Sequence, residues 1–297
     1  MKLVLVTCVL VLLAGVTMAD AVEESGADAL RNEIEAIEKE TGGTIGVTAI
    51  HLAHGQRLDH RADEVFPAAS VIKTHLLVVL YRRAERGELS LDDALPLREQ
   101  DKVGGSGRLQ HEAAGTVYSL GELARLMIVI SDNVATNMLI GRLGGMESIN
   151  KELGELGIER SRFNRLMMDA EARSRGIENA ITPGETAALF ATLERRAVAK
   201  PETCDAILAV LLAQELSSKM PSLLPEGTRV AHKTGTLTAV SHDAGIIYAP
   251  SGPIAVAVLT KGIANEETSR QAIARVARLV FDAWGAAAGD EAKGAGE

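Results

Sequence analysis

The stretch FPAASVIKTHLL, Phe66 to Leu77, decides how the rest of the chain is read. A proline and two small residues lead into Ser70, and the apolar run from Val71 onward has the character of a core helix. Lys73 follows Ser70 by three positions, so on a helix its amine and the serine hydroxyl share one face. Two readings fit. In one, Ser70 caps the helix and Lys73 carries its charge out to water. In the other, Ser70 is a nucleophile and Lys73 its base, with unpaired amides of the first helical turn available to an oxyanion. A free lysine, with a pKa of about 10.4, is almost wholly protonated at neutral pH. A lysine that acts as a base must therefore be buried or crowded by a second cation. Ser148 and Lys151 repeat the same spacing without any other marker, so the spacing alone decides nothing.

The segments after Ser70 read as helices almost without interruption to about Met220: SVIKTHLLVVLYRRAERG, SLGELARLMIVI, NVATNMLIGRLG, TPGETAALFATLERRAV and CDAILAVLLAQEL. Strand-like runs lie on either side of this block. TIGVTAIHLAHGQRLDHRAD reads as a hairpin turning at His54-Gly55, and TRVAHKTG, AGIIYAP and PIAVAVLTKG come later. An amphipathic helix carrying Leu30, Ile34 and Ile37 precedes them, and one carrying Ile273, Val276, Val280 and Trp284 closes the chain. The pattern predicts an α+β fold, an antiparallel sheet flanked by N- and C-terminal helices with an inserted all-helical domain. The sheet domain is expected to take residues 20–67 and 221–297 and the helical domain 68–220, with a site between them.

The first residues, MKLVLVTCVLVLLAGVTMADA, combine an early cation at Lys2, an apolar run and the small residues Thr17 and Ala19. They predict a signal peptide, residues 1–19, and hence a secreted or periplasmic protein. The run is shorter than the roughly 20 residues that a spanning helix needs, so no stable membrane anchor is expected. Cleavage after Ala19 removes Lys2 and leaves only Cys204 of the two cysteines, so no internal disulfide can form. A formal charge of −9 before cleavage argues against nucleic acid as a partner. A monomer is expected.

Two further motifs follow. Ser131-Asp132-Asn133 lies at the break between two helical runs, where a hydroxyl and a carboxamide can project from a turn. Lys233-Thr234-Gly235 lies on a strand, where the bland reading is an edge lysine beside a glycine bulge. Taken in order with Ser70-x-x-Lys73, these motifs resemble those of the penicillin-recognising serine hydrolases, and most closely the class A β-lactamases. The resemblance spans nearly the whole chain after the leader. It implies a β-lactam or related acyl substrate, a covalent acyl-enzyme on Ser70, and no metal or organic cofactor. It further implies Lys73 as a base for activation, Ser131 as proton donor to the leaving nitrogen, and Lys233 as the second cation. Asn133, Thr234, Gly235 and Thr236 would bind substrate, the amide of Thr236 joining that of Ser70 in an oxyanion hole. VGGSGRLQ, Val103 to Gln110, would face the cleft.

One feature departs from the pattern. Class A enzymes place a glutamate in a loop after Ser-Asp-Asn to activate the deacylating water. Here the loop reads RFNRLMMDAEARSRGIENAITPGE, and alignment on Arg165 and Thr182-Pro183 puts Met167 at that position. Asp169 and Glu171 are the substitute carboxylates singled out, with Glu178 nearby. A D-alanyl-D-alanine peptidase, an esterase or a slowly deacylating penicillin-binding protein is the alternative reading, and a non-enzymatic penicillin sensor ranks last. His51 and His54 lack the remaining ligands of a metal site. His242 and Asp243 read as a hydrogen-bonded pair near a strand start.

Overall fold

A computed structural model of the chain describes residues 18–286, with side-chain surroundings from residue 26. All of the predicted leader except Met18 and Ala19, and the polar tail EAKGAGE, lie outside the described residues.

The chain opens with α1, Met18–Thr41, followed by β1, Thr44–His51, and β2, Arg57–His60. A short β3, Phe66–Pro67, leads to α2, Lys73–Glu85, and then to β4, Ala94–Pro96, and β5, Val117–Ser119. Helices α3, Leu120–Val129, α4, Asn133–Arg142, α5, Gly145–Glu155, and α6, Ala170–Ser174, come next. After β6, Ala180–Ile181, the helices α7, Pro183–Glu194, and α8, Pro201–Leu212, complete the helical block. Strands β7, Arg229–Leu237, β8, Val240–Ala249, and β9, Gly252–Lys261, precede α9, Glu266–Trp284. The main sheet is antiparallel in the order β2-β1-β9-β8-β7, so both ends of the chain build it, as the pattern predicts. Among the described residues no helix is long and apolar enough to cross a membrane.

The sequence of β9 shows why the sheet can be covered on both faces. Ile254, Val256 and Val258 point to one side, where Leu30, Ile34 and Ile37 of α1 meet Ile273, Val276 and Val280 of α9. The alternating residues Ala255, Ala257 and Leu259 point to the other side, into the core shared with the helical block. Small residues on that face let α7 lie close against β9 and β1. Gly42, at φ +71°, ends α1 by donating its amide to Glu38 O at 3.1 Å, the left-handed stop that glycine adopts without penalty.

The structure also adds to the sequence reading. Helix α5 occupies a stretch read only as a repeat of the serine–lysine spacing. There Ser148 Oγ accepts from Arg83 at 2.9 Å and Lys151 is exposed, so that pair lies on the helix surface and builds no site.

Candidate active site

Ser70 does not cap α2. The capping position is Ile72, and the chain before it runs through tight turns in which the Val71 amide bonds Ala68 O at 3.2 Å and the Lys73 amide bonds Ser70 O at 3.2 Å. At three residues per turn, positions i and i+3 are eclipsed, which sets Ser70 and Lys73 on one side. Ala69, just before the serine, is held at φ +45°, a conformation costly for a residue with a Cβ. Strand β7 passes directly against this turn. A Cβ on Gly235 would lie 2.9 Å from Ala69 Cβ and 2.9 Å from Ser70 N, so only glycine lets the backbones approach this closely.

Lys73 is fully buried. Its Nζ lies 2.7 Å from Ser131 O, 3.2 Å from Ser131 Oγ and 2.9 Å from Asn133 Oδ1. The three partners of Nζ are two carbonyl oxygens, which only accept, and the Ser131 hydroxyl, and none of them carries a charge. Burial, reinforced by the nearby Lys233 and only partly opposed by Asp132, pushes the Lys73 ammonium well below the ordinary lysine range. Ser131 reaches this position because its backbone sits at φ +60°, a strained placement of the kind found at functional sites.

Asp132 fixes that strained turn. One carboxylate oxygen accepts the Ala135 amide at 2.9 Å and caps α4, while the other accepts the amides of Arg108 and Leu109 at 2.8 and 2.9 Å. The capping reading of this motif is therefore correct for Asp132, which in addition ties down the loop 103–110. Gly104 O accepts from Asn133 Nδ2 at 3.1 Å, and Gly105 and Ser106 of that loop line the cleft. Asp132→Ala orphans three N–H groups at a cost of about 1–3 kcal/mol each. We expect a loss of about 3 kcal/mol or more, read as a lowered midpoint in denaturant titration.

Lys233 is also fully buried, its Nζ donating to Thr234 O at 2.9 Å. Burial lowers its ammonium to about 7, against the pull of Asp243 and with a further push from Lys219. Lys219 is a residue that the sequence reading missed. Its Nζ donates to Gly235 O at 2.6 Å, Thr236 Oγ1 at 2.9 Å and His242 O at 3.2 Å, and burial lowers it to about 8. In the sequence it is a lone lysine in a loop, and no spacing links it to the strand it serves. His242 and Asp243 do not form the expected pair. His242 Nε2 donates to Pro67 O at 2.7 Å and its Nδ1 accepts the Thr260 amide at 3.1 Å, whereas Asp243 bonds His232 and the Met220 amide. Neighbours on a strand point to opposite faces, which separates the two side chains.

The loop 162–179 forms the opposite wall. Asn137 of α4 clamps it by accepting the Met167 amide at 2.8 Å and donating to Met167 O at 3.1 Å. Arg165 and Glu178 pair at 2.6 Å, and Asn179 Oδ1 accepts the amides of Asn164 and Arg165 at 2.7 and 2.9 Å. A cavity of about 490 Å³ opens between this loop, Ser70, Asn133 and Thr236. Met167, only 7% exposed, lines it where the sequence alignment expects an acid. Asp169 also lines the cavity, with Oδ1 accepting the Ala172 amide at 2.9 Å. Glu171 is not brought to the cavity: its side chain is 84% exposed and faces Arg175 at 3.9 Å. A larger groove of about 620 Å³ behind Asn137 contains none of the motif residues.

His51 has both ring nitrogens engaged, Nε2 with Ser251 Oγ at 2.9 Å and Nδ1 with the amides of Ala53 and His54. Among the described residues no group of three or more His, Cys, Asp or Glu side chains could hold a metal ion.

A serine on a tight turn, two buried lysines, and a lysine strand pressed against the turn, on an α+β fold with a helical insert, define a class A β-lactamase-like serine hydrolase. The model of the beta-lactamase enzyme family matches residues 29–284, and the chain belongs to that family. A beta-lactamase from Rhodobacter capsulatus is 32% identical over 240 residues, 80% of this chain and 76% of the relative. The crystal structure of a beta-lactamase from Sphaerobacter thermophilus is 36% identical with a TM-score of 0.79, covering 88% of this chain and 97% of that one. An acyl-enzyme complex of a leucine-to-glutamate mutant of PBP-A with penicillin G is 31% identical with a TM-score of 0.81, covering 86% and 96%.

Proposed function

We propose that this protein opens β-lactam rings through an acyl-enzyme on Ser70, and that hydrolysis of this ester limits turnover. The observation that carries the proposal is the fully buried Lys73 amine, held against Ser131 and Asn133 and crowded by Lys233, an environment that disfavours its ammonium form. In the first step Lys73 takes the Ser70 proton as Oγ bonds to the lactam carbonyl carbon. The C–N bond then breaks, and the ring nitrogen receives a proton through Ser131. The amides of Ser70 and Thr236 would hold the oxyanion, Asn133 the substrate's side-chain amide, and Lys233 with Thr234 its carboxylate. In the second step water cleaves the ester, with Asp169 as the carboxylate in reach of the cavity.

Activity rises as Lys73 loses its proton and falls as Lys233 and Lys219, lowered to about 7 and about 8, lose theirs. A second reading, a penicillin-binding protein of the peptidase type, is favoured by Met167 at the place of the deacylating acid and by the likeness to PBP-A. Rapid mixing with a chromogenic cephalosporin separates the two. We expect a burst of about one equivalent followed by sustained turnover, whereas a burst with no later turnover supports the second reading. Export through residues 1–19 completes the proposal, supported by the apolar leader and the small residues that end it.

A further inference from the structure

On the side of the strand away from Ser70 lies a buried acid that the acylation steps above do not use. Asp243 on β8 is fully buried. One oxygen accepts from His232 Nδ1 at 2.8 Å and the other from the Met220 amide at 3.0 Å. Met220 adjoins Lys219, whose Nζ donates to three oxygens, Gly235 O, Thr236 Oγ1 and His242 O. Two of these partners are carbonyl oxygens and the third is a hydroxyl, so none of them supplies a counter-charge. A buried ammonium ion is costly without a counter-charge. The charged and titratable groups that face this ammonium are Asp243, His232 and His242 from β7 and β8, Lys233 from β7, and Glu266 and Arg270 from α9. Glu266 is exposed, and Asp243 alone of the two acids acts on both Lys219 and Lys233.

We propose that Asp243 is a positioning residue for substrate capture: it anchors the loop that carries Lys219 and is the counter-ion that keeps Lys219 and Lys233 cationic where the substrate carboxylate docks. This rests on the reading under Proposed function. Burial already lowers the two lysines to about 8 and about 7 with Asp243 in place. Loss of the carboxylate lowers both further, so the alkaline limb of kcat/KM moves to lower pH.

The test compares Asp243→Asn with the wild type between pH 6 and 10, using benzylpenicillin and its uncharged methyl ester. We expect kcat/KM for penicillin at pH 8 to fall about tenfold, through KM, for a limb displaced by about one pH unit. The ester should change little. Lys219→Arg, whose guanidinium stays charged, should not restore the limb in the Asp243→Asn protein, because Lys233, lowered to about 7 with Asp243 in place, sets it. Superimposable profiles, or equal losses for penicillin and ester, overturn the inference. A wild type that neither substrate acylates refutes the functional reading instead.

Discussion

Ser70→Ala is expected to lower kcat/KM for a β-lactam by about 10⁴-fold or more and to abolish covalent labelling by penicillin. The size of the effect follows from the local geometry. The other hydroxyl of the cluster, Ser131, is engaged with Lys73 at 3.2 Å and sits on a strained turn, so it cannot move into the vacated place. Removing one hydroxyl from a half-exposed turn leaves the packing of α2 and β7 intact, and thermal unfolding should be nearly unchanged. Ser148→Ala serves as the control, because that serine bonds Arg83 on α5 and lines no part of the cavity. Equal labelling of the two variants would refute Ser70 as the nucleophile.

Met167→Glu is expected to raise the rate of deacylation by about 10²-fold or more, the usual contribution of a well-placed general base. The substitution tests the missing base directly. The Asn137 amide fixes the backbone of residue 167 from both sides, so the new side chain enters the cavity from the position that Met167 holds now. The Arg165 guanidinium lines the same cavity and favours a carboxylate there, although its pairing with Glu178 weakens that help. Quenched-flow measurement of acyl-enzyme decay gives the answer. Faster decay with unchanged acylation shows that the wild type lacks a base at this position, and unchanged decay shows that another group, Asp169 foremost, already activates the water.

Much of the fold was legible because its signals are local and periodic. PIAVAVLTKG reads as a strand, and the stripes on the first and last helices mark the layer that covers one face of the sheet. The three motifs were legible as well, yet four details needed the structure. Ser70 reads as a helix cap from its neighbours, and only the turn before Lys73 shows that Ile72 holds the capping position. Lys219 could not be read at all: its partners lie 16 to 23 positions away on two strands, and register is a property of the folded sheet. The pairing expected between His242 and Asp243 failed for a different reason, since adjacency in sequence places strand neighbours on opposite faces. Glu171 and Asp169 are two residues apart, and the short helix α6 sends only Asp169 to the cavity.

In the proposed mechanism Ser70 carries the acyl group. Intact-protein mass spectrometry of the wild type, acid-quenched milliseconds after mixing with penicillin, tests it most directly. An adduct of the whole penicillin mass is expected, mapped by peptide digestion to the segment containing Ser70 and decaying as product appears. Hydrolysis of the lactam with no adduct at any time, or an adduct on another residue, would contradict it.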